Sequence, residues 1–257
     1  MDTRKNKGQF FTHPEIAVFM SKLINPSDNE KIIDPACGEG EFLIRLHQLN
    51  ENIQLYGCEI DKKIYTSAIS NIPTAKIFLH NGLYSEKLYE DEIDITTEIK
   101  NESFDGVIAN PPFNSLTNKV KDKKILKRFI MGHKDNKIRG AQSIEVLFIE
   151  RFIQLLKPAG RLCTVLPEGV LSGDRYSYVR DWLYSQLSIE AIITLPKKGM
   201  FSSANVNTAI LCAYKKPCNN KNDDVLYVRD ITFDEFDLIY EYMARKNIFV
   251  RGDKCGE

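Results

Sequence analysis

The chain has 257 residues, with 35 Lys and Arg against 35 Asp and Glu, so its formal net charge is zero. Apolar residues make up 43% and charged residues 27%, a balance that is typical of a folded globular protein and excludes a mainly disordered chain. No stretch approaches the roughly 18 apolar residues of a membrane span. The neutral balance also excludes a chain that coats nucleic acid by bulk charge, so nucleic-acid contact would need a local basic patch.

Six cysteines and four histidines are scattered along the chain without a CxxC spacing, so we expect no metal site. The first ten residues, MDTRKNKGQF, contain no apolar signal core. Cysteines in apolar runs and the lack of a signal together predict reduced thiols and a cytoplasmic location.

Short apolar runs alternate with amphipathic stretches, which predicts a parallel sheet with helices on both faces. Helices are predicted at 14–23, 40–49, 62–70, 143–156, 174–187 and 233–245. Strands are predicted at 31–34, 54–58, 76–80, 104–109, 161–166, 189–195, 206–214 and 225–228. The first seven strands are expected to form one sheet, in which the last is antiparallel because a short turn joins it to the strand before. We divide the chain into an N-terminal segment and helix (1–30), a main domain (31–215) and a C-terminal extension (216–257).

The first predicted strand leads directly into a helix through the segment Asp34-Pro35-Ala36-Cys37-Gly38-Glu39-Gly40-Glu41-Phe42. Its glycines let the backbone approach a ligand, and the new helix presents free N–H groups. Leu43 replaces the third glycine of a dinucleotide fingerprint. The acids Asp34 and Glu59, the latter at the end of the second strand, disfavour a pyrophosphate and suit a cationic nucleoside, with Ile60 against its base. The alternative is a merely structural turn.

A second motif, Asn110-Pro111-Pro112-Phe113, follows the fourth predicted strand. The two prolines fix an extended backbone and remove two N–H donors. Asn110 and the Pro111 carbonyl are left as acceptors, and Phe113 can stack on a planar ligand. The alternative is a rigid turn from strand to loop.

Together these features resemble class I S-adenosylmethionine-dependent methyltransferases that modify adenine amino groups in DNA. The sequence Gly8-Gln9-Phe10-Phe11-Thr12 resembles the element that precedes the cofactor loop in the gamma class of these enzymes. The resemblance covers about residues 4–215 and is to modification subunits of type I restriction systems and related type II adenine methyltransferases. His13 separates Thr12 from Pro14, which are adjacent in the family, and Asn81 stands where aspartate is commoner.

The resemblance implies a Rossmann-like fold with a seven-stranded, mostly parallel sheet, S-adenosylmethionine as cofactor and double-stranded DNA as substrate. The implied cofactor-binding residues are Phe11, Thr12, Asp34, Pro35, Ala36, Cys37, Gly38, Gly40, Phe42, Glu59, Ile60, Asn81, Gly82, Leu83 and Asn110. The implied catalytic residues are Asn110, Pro111, Pro112 and Phe113. A flipped adenine would donate its amino N–H bonds to the Asn110 oxygen and the Pro111 carbonyl, while Phe113 stacks on the base. No thiol takes part, and Cys37 is expected to be a packing residue.

A basic segment follows, with nine cations against two acids between 119 and 139. The cations are Lys119, Lys121, Lys123, Lys124, Lys127, Arg128, Lys134, Lys137 and Arg139. We expect them to contact DNA phosphates, and the alternative is a solvated, partly mobile loop. An acidic stretch at 86–102 offsets their charge.

Only about forty residues follow Tyr214, too few for a target-recognition domain, so we expect a specificity subunit or a recognition domain outside this chain. One alternative is a methyltransferase acting on a protein glutamine amide, since those enzymes also carry Asn-Pro-Pro-Tyr. Another is a non-catalytic, cofactor-binding scaffold subunit. The segment 8–12 and the basic segment favour DNA, and the intact motif at 110–113 weighs against a scaffold.

Overall fold

The computed structural model describes residues 12–113, 118–195, 207–217 and 224–249. Its α-helices are α1 (Pro14–Ile24), α2 (Glu41–Leu49), α3 (Lys62–Asn71), α4 (Lys123–Leu126), α5 (Ile144–Leu155), α6 (Glu168–Ser172), α7 (Ser177–Gln186) and α8 (Phe236–Arg245). Its strands are β1 (Lys31–Asp34), β2 (Gln54–Glu59), β3 (Lys76–Leu79), β4 (Phe104–Ala109), β5 (Lys119–Val120), β6 (His133–Lys134), β7 (Lys137–Ile138), β8 (Gln142–Ser143), β9 (Leu156–Pro167), β10 (Leu187–Thr194), β11 (Thr208–Lys215) and β12 (Leu226–Val228). Within these described ranges, no helix has the length and apolar character needed to cross a membrane.

Eight of the described strands form one sheet in the order β12-β10-β11-β9-β4-β1-β2-β3. β11 runs antiparallel to both of its neighbours, and the other neighbouring pairs are parallel. The predicted α/β architecture with one antiparallel strand is confirmed. The structure adds an eighth strand to the predicted seven, because β12 pairs with β10 and covers what would otherwise be its open edge.

The two faces of the sheet carry separate hydrophobic clusters. On one face α5 packs over β4 and β9, and Phe104 and Phe152 are fully buried there. On the other face α1 packs over the same two strands and contacts α2 and α8. The rings of Phe19 and Phe236 stack with their centroids 4.3 Å apart, which joins α1 to α8. The division of the chain into three parts stays a prediction.

His13, which departs from the family pattern, has a clear local role. Its Nδ1 accepts a hydrogen bond from the backbone N–H of Glu15 at 3.4 Å, so it caps the first turn of α1. Its ring also stacks on Phe233 with the centroids 4.4 Å apart.

Residues 118–143, in the connection between β4 and α5, fold into short strands and helical turns where the sequence predicts no regular element. β5 pairs with β8 where the chain enters and leaves this segment, and β6 and β7 form a hairpin. Leu126 and Phe129 are buried in the same hydrophobic cluster as α5. Two-residue strands and a one-turn helix leave no period in the sequence, which is why they were not predicted.

The chain connections determine where a ligand can bind. From β1 the sheet continues through β2 to β3 on one side, and from β4 to β9 on the other. Ligands of open α/β sheets bind at such a switch point, outside the carboxyl ends of the strands. The loops after β1 and β4, which carry the two motifs, therefore lie side by side.

Candidate functional site

A cavity of about 230 Å³ opens at the carboxyl ends of β1, β2, β3 and β4. The predicted site residues that line it are Thr12, Asp34, Pro35, Ala36, Cys37, Gly38, Phe42, Glu59, Ile60, Asn81, Gly82, Asn110 and Pro112. The structure thus brings separate motifs together around one space. Their roles in binding and catalysis stay predictions.

The turn from β1 into α2 wraps one side of the cavity. Gly38 (φ 56°) and Gly40 (φ 90°) lie in the left-handed region, where a side chain would strain the backbone. The backbone N–H of Cys37 donates to the Cys58 carbonyl at 3.0 Å, which attaches the turn to β2. Gly40 makes this bend directly before α2 and does not itself line the cavity.

Two buried carboxyl groups line the cavity. Asp34 is 1% exposed, and its Oδ1 accepts a hydrogen bond from the backbone N–H of Ala36 at 2.9 Å. Glu59 is 6% exposed, and its two oxygens accept from the N–H groups of Gly38 at 3.1 Å and Asp61 at 2.7 Å. These bonds hold the turn and the end of β2 in one arrangement.

Burial determines the electrostatics of this space. It raises the pKa of Asp34 to about 8, although the N–H of Ala36 opposes the shift and the charge of Glu59 adds to it. Burial also raises the pKa of Glu59, and it raises the pKa of the Cys37 thiol, which therefore stays protonated as a packing group does. A cationic ligand stabilises the ionised form of a buried carboxyl group. The two carboxyl groups therefore favour a cationic ligand in this cavity.

The loop after β3 closes another side of the cavity. A Cβ on Gly82 would lie 1.7 Å from the carbonyl oxygen of Pro35, so only glycine lets these two loops touch. The side-chain oxygen of Asn81 accepts from the backbone N–H of Leu83 at 3.1 Å. Leu83 itself is buried in the hydrophobic cluster and does not line the cavity.

His80, which the sequence does not single out, also lines the cavity. It is 3% exposed, and its Nδ1 lies 3.0 Å from the backbone oxygen of Asn81. Because a carbonyl oxygen can only accept, Nδ1 carries the proton, and Nε2 is an acceptor in the neutral ring. Nε2 is buried and has no partner among the described residues. An unpaired acceptor in a residue that lines a cavity indicates a group that a ligand can satisfy.

Asn110 lies directly after β4. Its Nδ2 donates to the Thr12 hydroxyl at 3.2 Å, and its Oδ1 is buried without a partner in the part of the chain that the structure describes. Pro112 lines the cavity, whereas Pro111 and Phe113 do not, and Phe113 is only 1% exposed. Stacking of a base on Phe113 therefore requires that this ring become accessible.

Several lining residues were missed by sequence analysis, and one predicted residue, Phe11, lies outside the described ranges. The missed residues are Glu39, Glu41, Cys58, Ile64, His80, Ile144 and Phe148. Ile144 and Phe148 are four residues apart on α5 and so share one helix face. That spacing was visible in the sequence, but any core-facing helix shows it, and nothing in it indicates a cavity.

The basic segment (residues 119–139) has seven exposed lysines and two half-buried arginines. Arg128 pairs with Glu86 at 2.7 Å, and the Nζ of Lys124 lies 4.9 Å from the centroid of the Tyr89 ring. The segment is therefore anchored to the loop that follows β3 and presents its lysines to solvent. Its contact with DNA stays a prediction.

Known proteins are similar to this chain over most of its length. The family model described as N-6 DNA Methylase matches residues 1–248. The type I restriction enzyme MjaVIII methylase subunit of Methanocaldococcus jannaschii is 29% identical over 243 residues. The type II restriction enzyme and methyltransferase RM.BcgI of Heyndrickxia coagulans is 24% identical over 266 residues. These alignments cover 88% and 96% of this chain, which spans only 40% and 36% of the two relatives.

Solved structures share the fold. A Listeria monocytogenes protein assigned to the class I S-adenosylmethionine-dependent methyltransferases superposes with a TM-score of 0.73 and 21% identity, over 94% of this chain and 72% of that one. A Vibrio vulnificus protein assigned as the modification subunit of a type I restriction enzyme superposes with a TM-score of 0.72 and 20% identity, over 95% and 55% of the two chains. The predicted class I, Rossmann-like methyltransferase fold is therefore confirmed.

Proposed function

The chain belongs to the N-6 DNA methylase family, and on this premise we propose that it transfers a methyl group from S-adenosylmethionine to the exocyclic amino group of adenine in DNA. The reaction serves a restriction–modification system and takes place in the cytoplasm. An adenine inside a duplex cannot reach a buried methyl donor, so the base has to be flipped out of the stack.

The observation that carries this proposal is the hydrogen bonding of the Asn110 side-chain amide. Its NH₂ group donates to Thr12, while its oxygen is buried and unpaired among the described residues. A buried acceptor of this kind is complementary to an amino group, which brings N–H donors. Donation of both N–H bonds, to the Asn110 oxygen and the Pro111 carbonyl, favours a pyramidal nitrogen whose lone pair is free to attack.

The cavity fits S-adenosylmethionine by the chemistry of its donor set. When bound, the cofactor supplies an electrophilic methyl group on a positively charged sulfur. Asp34 and Glu59 are the residues that would hold its cationic and hydroxyl groups, and both are desolvated in the folded chain. Gly38 would let the backbone approach the cofactor closely, and Gly40 makes the bend into α2 that places it there.

Catalysis in this proposal consists of positioning and exclusion of water, with no covalent bond to the protein. Asn110 and Pro111 would orient the amino nitrogen, whose surplus proton passes to solvent water after transfer. Phe113 would stack on the flipped base once its buried ring becomes accessible, a contact worth about 1–3 kcal/mol in single-strand binding.

Sequence recognition is proposed to come from outside this chain. The basic segment would contact backbone phosphates, which position DNA without reading its bases. Because the chain spans 40% of a relative that is itself named as a subunit, a further recognition domain or a specificity subunit is the proposed source of site choice.

The cellular methylome tests the function directly. We would introduce Asn110→Ala at the native locus and leave every neighbouring gene in place. N⁶-methyladenine should disappear from one sequence motif, because losing a positioned hydrogen-bond partner slows such reactions by about a hundredfold or more.

The matched control is Asn52→Ala, which removes an exposed amide whose Nδ2 donates to Asp28 at 3.3 Å, and it should leave the methylome intact. An unchanged methylome in Asn110→Ala cells, with the variant folded and still binding cofactor, would refute the DNA proposal. Loss of methylation from a protein glutamine instead would favour the amide methyltransferase.

A further inference from the structure

A second cavity, of about 560 Å³, lies between the loop after β3 and the basic segment. It shares no described lining residue with the first cavity, at the ends of β1 to β4. Its charged lining residues are Glu86, Lys100, Lys127, Arg128 and Arg151. Four cations thus line the cavity together with one carboxylate, so its lining has an excess of positive charge.

Arg151, on α5, is a buried cation whose ionised form is favoured by the carboxylate of Glu86, the same carboxylate that pairs with Arg128. It is 4% exposed, and its guanidinium donates to the carbonyl of Gly82 at 3.4 Å, the side-chain oxygen of Asn101 at 2.8 Å and the hydroxyl of Ser85 at 2.5 Å. All three acceptors are neutral, and Arg151 forms no ion pair with any described residue. Burial lowers its pKa to about 10. Buried charges are normally paired, and here two guanidinium groups share the single carboxylate of the lining, Glu86.

Arg128 adds an unsatisfied group to the same lining. Its terminal nitrogen pairs with Glu86 at 2.7 Å, but its Nε is buried and has no partner within the described ranges. Lys100 and Lys127 are exposed at the rim, and neither forms an ion pair with a described residue. The lining of this cavity therefore contains more N–H donors and positive charges than its single carboxylate, Glu86, can pair with.

We propose that this cavity binds a phosphate group, with Arg128 and Arg151 as its guanidinium ligands and Lys100 and Lys127 as its rim. The single carboxylate leaves three of the four positive charges unmatched, which is more than one carboxylate ligand could balance. Guanidinium groups match the oxygens of a phosphate with paired N–H donors. The group belongs either to the backbone of DNA or to a free nucleotide, and the site does not depend on methyl transfer.

Titration calorimetry with inorganic phosphate tests the site, with chloride added to keep the ionic strength constant. The wild-type chain should bind phosphate saturably. Lys100→Gln/Lys127→Gln, which changes only exposed side chains, and Arg128→Gln should each bind phosphate about tenfold more weakly, equivalent to about 1.4 kcal/mol. Lys216→Gln/Lys246→Gln removes the same charge from exposed side chains outside both the cavity and the basic segment, and should bind phosphate as the wild type does.

Weakening of the same size in the cavity and control variants would reduce the effect to general charge and overturn the proposal, as would the absence of saturable binding. Competition then identifies the source of the phosphate. Displacement by a short DNA duplex assigns the site to the DNA backbone, and displacement by adenosine monophosphate alone assigns it to a nucleotide. If neither ligand displaces phosphate, the proposal fails.

Discussion

The hydrogen bond from the Nδ2 of Asn110 to the Thr12 hydroxyl fixes the orientation of the amide, so that its oxygen is left to accept a bond from a ligand. Thr12→Val removes the hydroxyl at nearly constant volume, so the Nδ2 of Asn110 loses its partner. Such a bond is worth about 1 kcal/mol net, and we expect kcat for methyl transfer to fall about fivefold. Thr12→Ser should restore most of the rate.

Thr12 also lines the cavity, so the readout has to separate positioning from cofactor binding. A positioning role lowers kcat and leaves the Kd for S-adenosylmethionine nearly unchanged in Thr12→Val. A raised Kd with normal kcat at saturation would show that Thr12 contacts the cofactor instead.

Asp34 should couple cofactor binding to pH. Its pKa is about 8 in the folded chain, against an ordinary value of 3.8. Between these values the folded chain holds a proton that the unfolded chain has released, so stability falls as pH rises through that window. A cationic cofactor favours the ionised form, so affinity should increase up to about pH 8 and then level off. Because binding is linked to the loss of one proton, the affinity for the cofactor can rise by at most about tenfold per pH unit.

Asp34→Asn keeps an acceptor for the Ala36 N–H but cannot ionise. We expect this variant to bind cofactor weakly throughout, and its Tm to decline less between pH 4 and 8 than that of the natural chain. Calorimetry and thermal unfolding across this range measure both effects. If the variant keeps the natural pH dependence of affinity, another group, such as Glu59, is responsible.

Site residues could be predicted where a short motif meets a strand end. Asp34 is the last residue of β1 and Asn110 directly follows β4, and the fold brings both to one cavity. His80 could not be predicted, because a histidine after a strand is equally suited to a core, and its unpaired Nε2 exists only in three dimensions. Phe113 is the opposite case, since its motif predicts an accessible ring and the structure buries it away from the cavity.

At the scale of elements, the loops after β1 and β3 touch at Gly82. In Gly82→Ala the new Cβ would lie 1.7 Å from the Pro35 carbonyl oxygen, so one loop has to move. We expect the affinity for S-adenosylmethionine to fall about tenfold or more and the Tm to fall with it. Gly140→Ala is the matched control, because nothing lies within 4 Å of its Cβ. Equal cofactor affinity in the two variants would show that this contact does not shape the site.

The central strands were predictable because buried parallel strands are short, nearly continuous apolar runs. β1 and β4 have the predicted bounds, 31–34 and 104–109. β9 does not, since it begins at Leu156 directly after α5, whereas the predicted strand begins at 161. The register shift between Phe104 and Gly106 accommodates the extra residues, and such an irregularity has no signature in composition or period.

Across the whole molecule, the acidic and basic stretches that cancel in the net charge are neighbours in space. Glu86 pairs with Arg128, and the hydroxyl of Tyr89 donates to Asp122. The seven lysines of the basic segment form no ion pair with any described residue. Zero net charge therefore coexists with a positive surface of limited size, and we expect the chain alone to bind DNA weakly and with strong dependence on salt.

The hairpin β6–β7 lets this surface be tested without changing any residue that lines the cavity at the ends of β1 to β4. Lys134→Gln/Lys137→Gln removes two exposed cations. The slope of log K against log salt is negative, and each lost phosphate contact reduces its magnitude by about 0.9, or about 1.8 for both. Fluorescence anisotropy of a labelled duplex over a salt series measures the slope. Lys216→Gln/Lys246→Gln removes the same charge outside the basic segment and should leave the slope unchanged. Equal slopes for the two double variants would mean that only net charge matters, and residues 119–139 would then be a solvated face.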